Sequence, residues 1–288
     1  MVVIEMNYRS MTAPVGIVRF FEIFLSCTAF SLAAYVRAYG GNYGAWCMFT
    51  WCFVFVVSVL ILIMELTGVC KKLPISWDDF TSAFSMLAAL MILTTSIIYP
   101  IKFLSDMSGT HGVKYTYIAS ATAMSCLCFV AYTIEIGLTR AKPGELTGLM
   151  ATVPGHLKVL EAYVACIIFV SVDEGHLYAV NAGRQWSMAV YCLCFIVTLL
   201  IIILSIGNLI HSMPFPFEKF LVGYNIAAVL LYVVNAIVWP IFSFDKKLGG
   251  NQRHKDSLIS TTVLTYINLV AYIIDLAYST KLVFFTTQ

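Results

Sequence analysis

Eight long apolar runs restrict the fold of this chain more than any other feature of its sequence. Crossing the roughly 30 Å hydrocarbon layer of a bilayer takes about 20 apolar residues in a helix, and runs of that length recur along the whole chain. Because hydrocarbon cannot hydrogen-bond a free backbone, each run must be a helix or part of a closed barrel, and these runs are too continuously apolar for barrel strands. We predict spans near residues 17–37, 46–66, 82–104, 115–138, 157–173, 186–207, 218–242 and 257–278.

The composition agrees with a membrane protein and excludes several other classes. Hydrophobic residues make up 60% of the chain and charged residues 11%, and the mean hydropathy is +0.89. A net charge of +2 gives no reason to expect a nucleic-acid partner. The sequence lacks His-Glu-x-x-His, phosphate-loop and Gly-x-Ser-x-Gly motifs. It therefore predicts no enzyme, no cofactor and no catalytic residue.

One short segment contains side chains that bind metals in other proteins. Residues 173–176 read Asp-Glu-Gly-His and follow the fifth predicted span. Four adjacent loop residues provide no rigid frame for a metal ion. A solvated loop is the favoured interpretation, and no metal site is predicted.

An internal repeat divides the chain into two copies. Residues 96–100 (SIIYP) match residues 236–240 (AIVWP), and residues 131–136 (AYTIEI) match residues 271–276 (AYIIDL). Both matches are shifted by 140 residues, since 236 − 96 and 271 − 131 are each 140. Shared hydrophobicity alone does not keep one offset over several helices, so each copy is predicted to be a four-span unit.

The predicted domain organisation follows from this duplication. Residues 1–138 form the first unit, residues 139–156 a polar linker, and residues 157–288 the second unit. An even number of spans makes the copies parallel repeats and puts both termini and the linker on one face of the membrane. Counts of Lys and Arg on the two faces, nine against eight, do not decide which face is cytoplasmic.

Seven ionisable residues are predicted to form an interfacial charge layer on the face of the termini. Glu22 and Glu161 each follow a cation by three residues, which puts both charges on one helical face. The favoured interpretation is a layer of snorkelling, paired charges that fixes the depth of the helices. A proton or cation site, duplicated once, is the alternative. The members are Arg19, Glu22, Glu65, Glu135, Lys158, Glu161 and Asp275.

Other polar and aromatic residues in the spans have predicted structural roles. Asn225, Asn235 and Asn268 are expected to hydrogen-bond between helices. A belt of aromatic residues is expected at the outer membrane interface. Its predicted members are Trp46, Tyr99, Trp186 and Trp239.

The cysteines are interpreted mainly as packing residues, with one exception. Eight of the nine fall inside predicted spans, where cysteine behaves as a small apolar residue. Cys70 lies just past the second span, beside Lys71 and Lys72. Juxtamembrane cysteines can be S-acylated, so Cys70 is either a candidate S-acylation site or an unmodified loop thiol.

A four-helix unit that opens with Arg19-x-x-Glu22 and is repeated in tandem resembles the MARVEL domain family. The segments that carry the resemblance extend over both units, and the central one is the most specific. They are MFTWCF (48–53), SIIYP (96–100), TRAKPGELTGLMATVPG (139–155), VACIIF (164–169) and FDKKLGG (244–250).

The resemblance implies an all-α integral membrane protein with two tandem, parallel MARVEL-type bundles, cytoplasmic termini and no catalytic site. It further implies a location in cholesterol-rich, ordered plasma membrane and in trafficking vesicles. The implied roles are in membrane traffic, cell junctions and recruitment of small GTPase and cytoskeletal signalling proteins. The residues themselves leave a different class open, a transporter or channel with a site between parallel repeats.

Overall fold

The computed structural model describes residues 12–105, 112–140, 148–173, 181–210, 216–244 and 252–285. Within these ranges the chain forms eight long α-helices and no β-strand. All eight are long and apolar enough to cross a membrane, which confirms the predicted number and type of spans. The helices are α1 (Pro14–Tyr35), α2 (Gly41–Leu66), α3 (Trp77–Phe103), α4 (Val113–Arg140), α5 (Val153–Asp173), α6 (Ala182–Ile206), α7 (Phe217–Ser243) and α8 (Gln252–Phe285).

The helices belong to two compact units. Unit 1 comprises Met1–Thr147 and contains α1 to α4, and unit 2 comprises Gly148–Gln288 and contains α5 to α8. In each unit every helix packs against its neighbours in the chain, and the first helix also packs along the fourth. Helices that pack on their neighbours in the chain in this way form an antiparallel four-helix bundle.

The predicted domain limits of 1–138, 139–156 and 157–288 stay a prediction. Helix α5 begins at Val153, inside the segment predicted to be a linker. Residues 141–147, which make up much of that linker, lie outside the described residues.

A tryptophan of α2 occupies the centre of unit 1. Trp51 is fully buried, its Nε1 donates a hydrogen bond to Ser125 Oγ on α4 at 3.0 Å, and its ring meets Tyr99 of α3 edge-on at 4.9 Å. Lipid is as apolar as the bundle core, so apolar burial gives little drive for helix association in a membrane. Close packing and hydrogen bonds of this kind hold such a bundle together instead.

A hydrogen bond between the second and fourth helices recurs at the 140-residue shift. In unit 1 the Ser58 and Tyr132 hydroxyl groups are 2.8 Å apart. In unit 2 the Thr198 and Tyr272 hydroxyl groups are 3.0 Å apart, at positions that are each 140 residues later. The repeat found in the sequence is therefore a repeat of tertiary contacts as well.

The central aromatic pair also recurs, with its members exchanged. Tyr191 replaces Trp51 and is 2.6 Å from the Thr265 hydroxyl group, at the place where Trp51 bonds Ser125. The Tyr191 ring meets the ring of Trp239 edge-on at 6.2 Å. Each core thus keeps one indole and one phenol.

The prediction of an outer aromatic belt is wrong for two of its four members. Tyr99 and Trp239 lie in the cores of their units with no exposed surface. They face inward because α3 and α7 turn this side toward the second helix of their bundle, where each ring meets its partner. Trp186 is about half exposed, as a belt residue would be.

The outer surface of each unit is strongly apolar. Phe21 and Phe24 of α1, Ile97 of α3 and Leu230 of α7 each expose more than half of their surface. Water-soluble proteins rarely expose so many large apolar side chains. The exterior therefore fits a lipid environment.

Candidate functional site

Unit 1 contains a buried cluster of charged residues that we call charge cluster 1: Arg19, Glu22, Glu65 and Glu135. Arg19 Nε donates to Glu135 Oε1 at 2.6 Å, and the same guanidinium group is 2.5 Å from Glu65 Oε1. Arg19 is on α1, Glu65 ends α2 and Glu135 lies near the end of α4. One guanidinium group therefore joins three helices at one end of the bundle.

The two carboxylates that Arg19 contacts also accept hydrogen bonds from neutral donors. Ser85 of α3 donates to Glu135 Oε2 at 2.9 Å, and Trp77 Nε1 donates to Glu65 Oε1 at 3.0 Å. All four helices of unit 1 thus contribute to charge cluster 1. Buried charges need such complete hydrogen bonding, because removing them from water costs several kcal/mol per ion.

Unit 2 contains an equivalent group that we call charge cluster 2: Lys158, Glu161, Asn225, Asp275 and Ser279. Lys158 Nζ is 2.9 Å from Glu161 Oε2, 2.6 Å from Asn225 Oδ1 and 2.7 Å from Asp275 Oδ2. Ser279 donates to Asp275 Oδ1 at 3.0 Å and accepts from Asn225 Nδ2 at 3.1 Å. The ammonium group donates hydrogen bonds to Glu161 and Asn225, and its contact with Asp275 is an ion pair.

Two tyrosine rings also surround the Lys158 ammonium group. Its Nζ lies 4.9 Å from the centre of the Tyr224 ring and 5.2 Å from that of Tyr272. Both distances are within the range of a cation–π interaction, which is stronger when the cation is desolvated. The rings close charge cluster 2 on the side of the aromatic core.

The structure brings the predicted charge layer together in two separate groups. Arg19, Glu65 and Glu135 meet in unit 1, and Lys158, Glu161 and Asp275 meet in unit 2. The i, i+3 contact forms between Lys158 and Glu161, whereas Arg19 turns away from Glu22 to reach across the bundle.

The seven residues of the predicted charge layer are more deeply buried than side chains that snorkel to the membrane surface. Six of the seven residues expose 5% of their surface or less, and only Glu65 is partly exposed. The described side chains point into their bundles. The position of the layer at the membrane interface stays a prediction.

Several members of the clusters were not predicted from the sequence. Ser85 and Asn225 occupy equivalent positions, since 85 + 140 = 225, and each contacts the charged group of its unit. The repeat shift was the available signal for this pair. Asp79 is a further buried carboxylate, at the start of α3, that the sequence did not single out.

The helix that carries Glu22 or Glu161 is also held by a backbone contact. Cys128 Sγ lies 3.8 Å from the Glu22 carbonyl oxygen, and Asn268 Nδ2 lies 3.4 Å from the Glu161 carbonyl oxygen. Asn268 Nδ2 is also 2.8 Å from the Tyr232 hydroxyl group on α7. The predicted role of hydrogen bonding between helices is confirmed for Asn225 and Asn268.

The described part of the chain contains no group of three or more His, Cys, Asp or Glu side chains arranged to hold a metal ion. Of the segment 173–176, only the backbone of Asp173 is described, and residues 174–176 lie outside the described residues. Each cluster consists of ion pairs between helices of its own bundle. Their geometry fits anchoring of helices.

Cys70 lies in a short 3₁₀ helix, Val69–Lys72, directly after α2. Its side chain is half-buried. Burial, and then the negative charge of Glu65, raise the pKa of the Cys70 thiol above its ordinary value. Since the thiolate is the nucleophile, Cys70 is less reactive at neutral pH than a free cysteine.

The helices and their exterior define a multi-pass membrane protein built from two four-helix units. The MARVEL family, described as a membrane-associating domain, matches residues 10–138 and 149–278, one match in each unit. These matches cover most of the chain. The chain belongs to the MARVEL family.

Full-length relatives narrow the classification to one group of that family. The myeloid-associated differentiation marker homolog of Xenopus laevis is 44% identical over 97% of this chain and 96% of its own length. The human myeloid-associated differentiation marker is 42% identical over 96% of this chain and 90% of its own length. The myeloid-associated differentiation marker-like protein 2 of Rattus norvegicus is 38% identical over 98% and 96%. No solved structure matches the chain.

Proposed function

We propose that this chain is a non-enzymatic organiser of ordered, cholesterol-rich domains of the plasma membrane. The observation that carries the proposal is the length of the charge-free parts of its helices. Residues 41–64 of α2 and 220–243 of α7 each contain 24 uncharged residues, and residues 80–101 of α3 contain 22. At 1.5 Å per residue these stretches are about 36 Å and about 33 Å long.

These lengths match a thick bilayer better than a thin one. The hydrocarbon layer of the endoplasmic reticulum is about 27 Å thick, and that of the sterol-rich plasma membrane is about 32–33 Å thick. A mismatch costs a fraction of a kcal/mol per Å, which is enough to sort proteins between membranes. Several long helices in one protein add such costs, so the chain is expected to concentrate in thick, ordered membrane.

The charge clusters support a static role rather than transport. Each one joins helices by short ion pairs and hydrogen bonds, and in cluster 2 two tyrosine rings also lie against the ammonium group. A rigid bundle presents a constant apolar surface to lipids and membrane partners. On this proposal, cytoplasmic signalling and cytoskeletal proteins, including small GTPases, bind on the face of the termini, and the protein acts in membrane traffic and at cell junctions.

Shortening one charge-free stretch should move the protein out of ordered membrane. Ile97→Lys would reduce the stretch in α3 from 22 residues to 17 (80–96), which is about 26 Å. Ile97 is exposed to lipid, so the lysine can extend toward the nearby membrane surface without entering the core. We expect a lower share of the variant in the ordered phase of giant plasma-membrane vesicles, measured by fluorescence of a tagged chain.

Ile101→Lys is the matched control. Ile101 is exposed on the same helix one turn later, but it adjoins Lys102, so the substitution shortens the stretch by one residue only. Equal loss from the ordered phase in both variants would mean that charge rather than length decides partitioning. Exclusion of the unmodified chain from the ordered phase would overturn the proposal, as would a solute flux through liposomes that Glu22→Gln or Glu161→Gln abolishes.

Cytoplasmic termini are part of the proposal and put Cys70 on the cytoplasmic face, where S-acylation takes place. A membrane-impermeant maleimide should then label Cys70 only after cells are permeabilised and acyl groups are removed by hydroxylamine, with Cys70→Ser as the blank. In the deacylated protein, Glu65→Gln should speed labelling at pH 7, because loss of the negative charge lowers the pKa of the thiol. Labelling of intact cells would contradict the orientation, and labelling that does not depend on hydroxylamine would contradict acylation.

A further inference from the structure

Glu22 is a fully buried carboxyl group without a hydrogen-bond donor. No described donor bonds either of its oxygens, because Arg19 is directed to Glu65 and Glu135. Its carboxyl group instead faces that of Glu135, within hydrogen-bonding reach. An isolated buried carboxylate of this kind is among the most expensive groups that a protein can contain.

The same arrangement recurs in unit 2. Glu161 is fully buried, its Oε2 accepts from Lys158, and its Oε1 has no described donor. The carboxyl group of Glu161 faces that of Asp275, again within hydrogen-bonding reach. Glu161 and Glu22 are equivalent in the repeat, as are Asp275 and Glu135.

Charge balance gives the two pairs a common explanation. Each charge cluster has one buried cation and two fully buried carboxyl groups, so a net negative charge remains in it if both carboxyl groups are ionised. Two carboxylates are both acceptors and repel each other, and they can form a hydrogen bond only when one of them carries a proton. Paired carboxyl groups in other proteins share a proton for this reason.

We propose that each unit binds one proton between its two buried carboxyl groups, Glu22 with Glu135 in unit 1 and Glu161 with Asp275 in unit 2. The proton is bound to Glu22 in unit 1 and to Oε1 of Glu161 in unit 2. Glu135 already accepts from Arg19 and Ser85, and Asp275 already contacts Lys158 and accepts from Ser279. The protonated group then donates to the ionised one, and one fully buried carboxylate is left opposite each buried cation, with the partly exposed Glu65 as a further charge of cluster 1.

Other titratable groups lie near each carboxyl pair, on the same helix and on neighbouring helices of the bundle. In unit 1, Arg19 is on the helix of Glu22, Glu65 of α2 binds Arg19, and Cys128 and Tyr132 of α4 also interact with Glu22. In unit 2 the groups that interact with Glu161 are Lys158, Cys194, Tyr224, Tyr272 and Asp275. Thiols and phenols ordinarily stay protonated at neutral pH, so they do not replace the proton of a carboxyl pair.

Infrared spectroscopy of the purified full-length chain tests the proposal directly. Protonated carboxylic acids have a carbonyl stretch that is separate from the bands of carboxylates and shifts in deuterated water. At pH 7 the unmodified chain should show this band. Glu22→Gln and Glu161→Gln should each remove about half of it, and the double variant should remove nearly all of it. The glutamine NH₂ donates where the proton did, so these variants keep the hydrogen bond and the fold.

Two further variants separate a shared proton from a single buried acid. In Glu135→Gln the remaining Glu22 no longer faces a carboxylate and is the only fully buried carboxyl group of charge cluster 1, so it should ionise beside Arg19, and the band from unit 1 should disappear although Glu22 is still present. Asp275→Asn should do the same in unit 2. Glu218→Gln, which changes an exposed carboxylate in the first turn of α7, should leave the band unchanged.

The infrared measurement on the unmodified chain tests the proposal even if a variant fails to fold. Absence of the band at pH 7 would overturn the proposal. A thermal stability that rises with sodium at constant ionic strength, together with absence of the band, would identify a monovalent cation as the neutralising ligand instead. Persistence of the full band in the Glu22→Gln and Glu161→Gln double variant would assign the protons to other groups and also overturn it.

Discussion

Replacing Lys158 with methionine is expected to destabilise unit 2 by about 3–5 kcal/mol, the usual cost of breaking a buried ion pair. Lys158 is fully buried and is the hydrogen-bond donor or ionic partner of Glu161, Asn225 and Asp275. Its loss leaves a buried carboxylate without a partner or forces a second proton into the cluster. Cys194 is buried in the core of the same unit. Its reaction with a thiol-reactive dye during heating in detergent would therefore report the unfolding of unit 2.

Two other variants serve as controls for the Lys158→Met prediction. Lys219→Met removes an exposed lysine at the start of α7 and should change stability by less than about 0.5 kcal/mol. A triple variant, Lys158→Met with Glu161→Gln and Asp275→Asn, should recover most of the loss, because replacing a complete buried ion pair by neutral groups is often harmless. If Lys158→Met and Lys219→Met unfold at the same temperature, Lys158 does not hold the bundle together.

Replacing Trp51 with alanine is expected to destabilise unit 1 by about 3 kcal/mol. The substitution opens a cavity at the centre of the bundle, where Trp51 is fully buried, and removes the hydrogen bond to Ser125 and the contact with Tyr99. Since lipid is also apolar, the cost comes from lost packing and hydrogen bonding rather than from water. The reporters are Cys47 and Cys128, which are buried in unit 1 and react with the same dye on unfolding.

Trp186→Ala is the control for this prediction, since Trp186 is about half exposed. It should have a small effect on either unit. Trp51→Phe should cost about 1 kcal/mol, because a ring is kept while the indole hydrogen bond is lost. An alanine variant of Trp51 that is as stable as that of Trp186 would contradict the view that the indole is a central packing element.

The spans and their number could be predicted from the sequence because hydropathy acts over a whole segment. A helix that crosses a bilayer needs about 20 apolar residues whatever its neighbours are, so the eight runs are visible without any tertiary information. The predicted limits differ from the observed ones by a few residues, as for α3, which begins at Trp77 rather than near residue 82. Polar residues in the first turn of α3, Asp78 and Asp79, hid this start.

The charged residues of the clusters were found for a similar reason, since an ionisable residue in a span is conspicuous. Their partners were only partly predictable. The i, i+3 spacing indicated equivalent contacts for Arg19 and Lys158, and only Lys158 makes that contact. Arg19 is longer and reaches Glu65 and Glu135 on other helices, a choice that depends on the spacing of three helices in unit 1.

An all-helical membrane protein, duplicated at a shift of 140 residues, could be predicted from the amino-acid sequence, together with a set of carboxyl groups that recurs in both copies. The burial of Tyr99 and Trp239 in the cores, and the second carboxyl group that Glu22 and Glu161 each face, became visible in the packed bundles. The physical reason is that a helix between lipid and an apolar core has no strongly polar face, so its sequence pattern does not reveal its rotation. Close contacts between helices settle that rotation, and with it the partner of each buried charge.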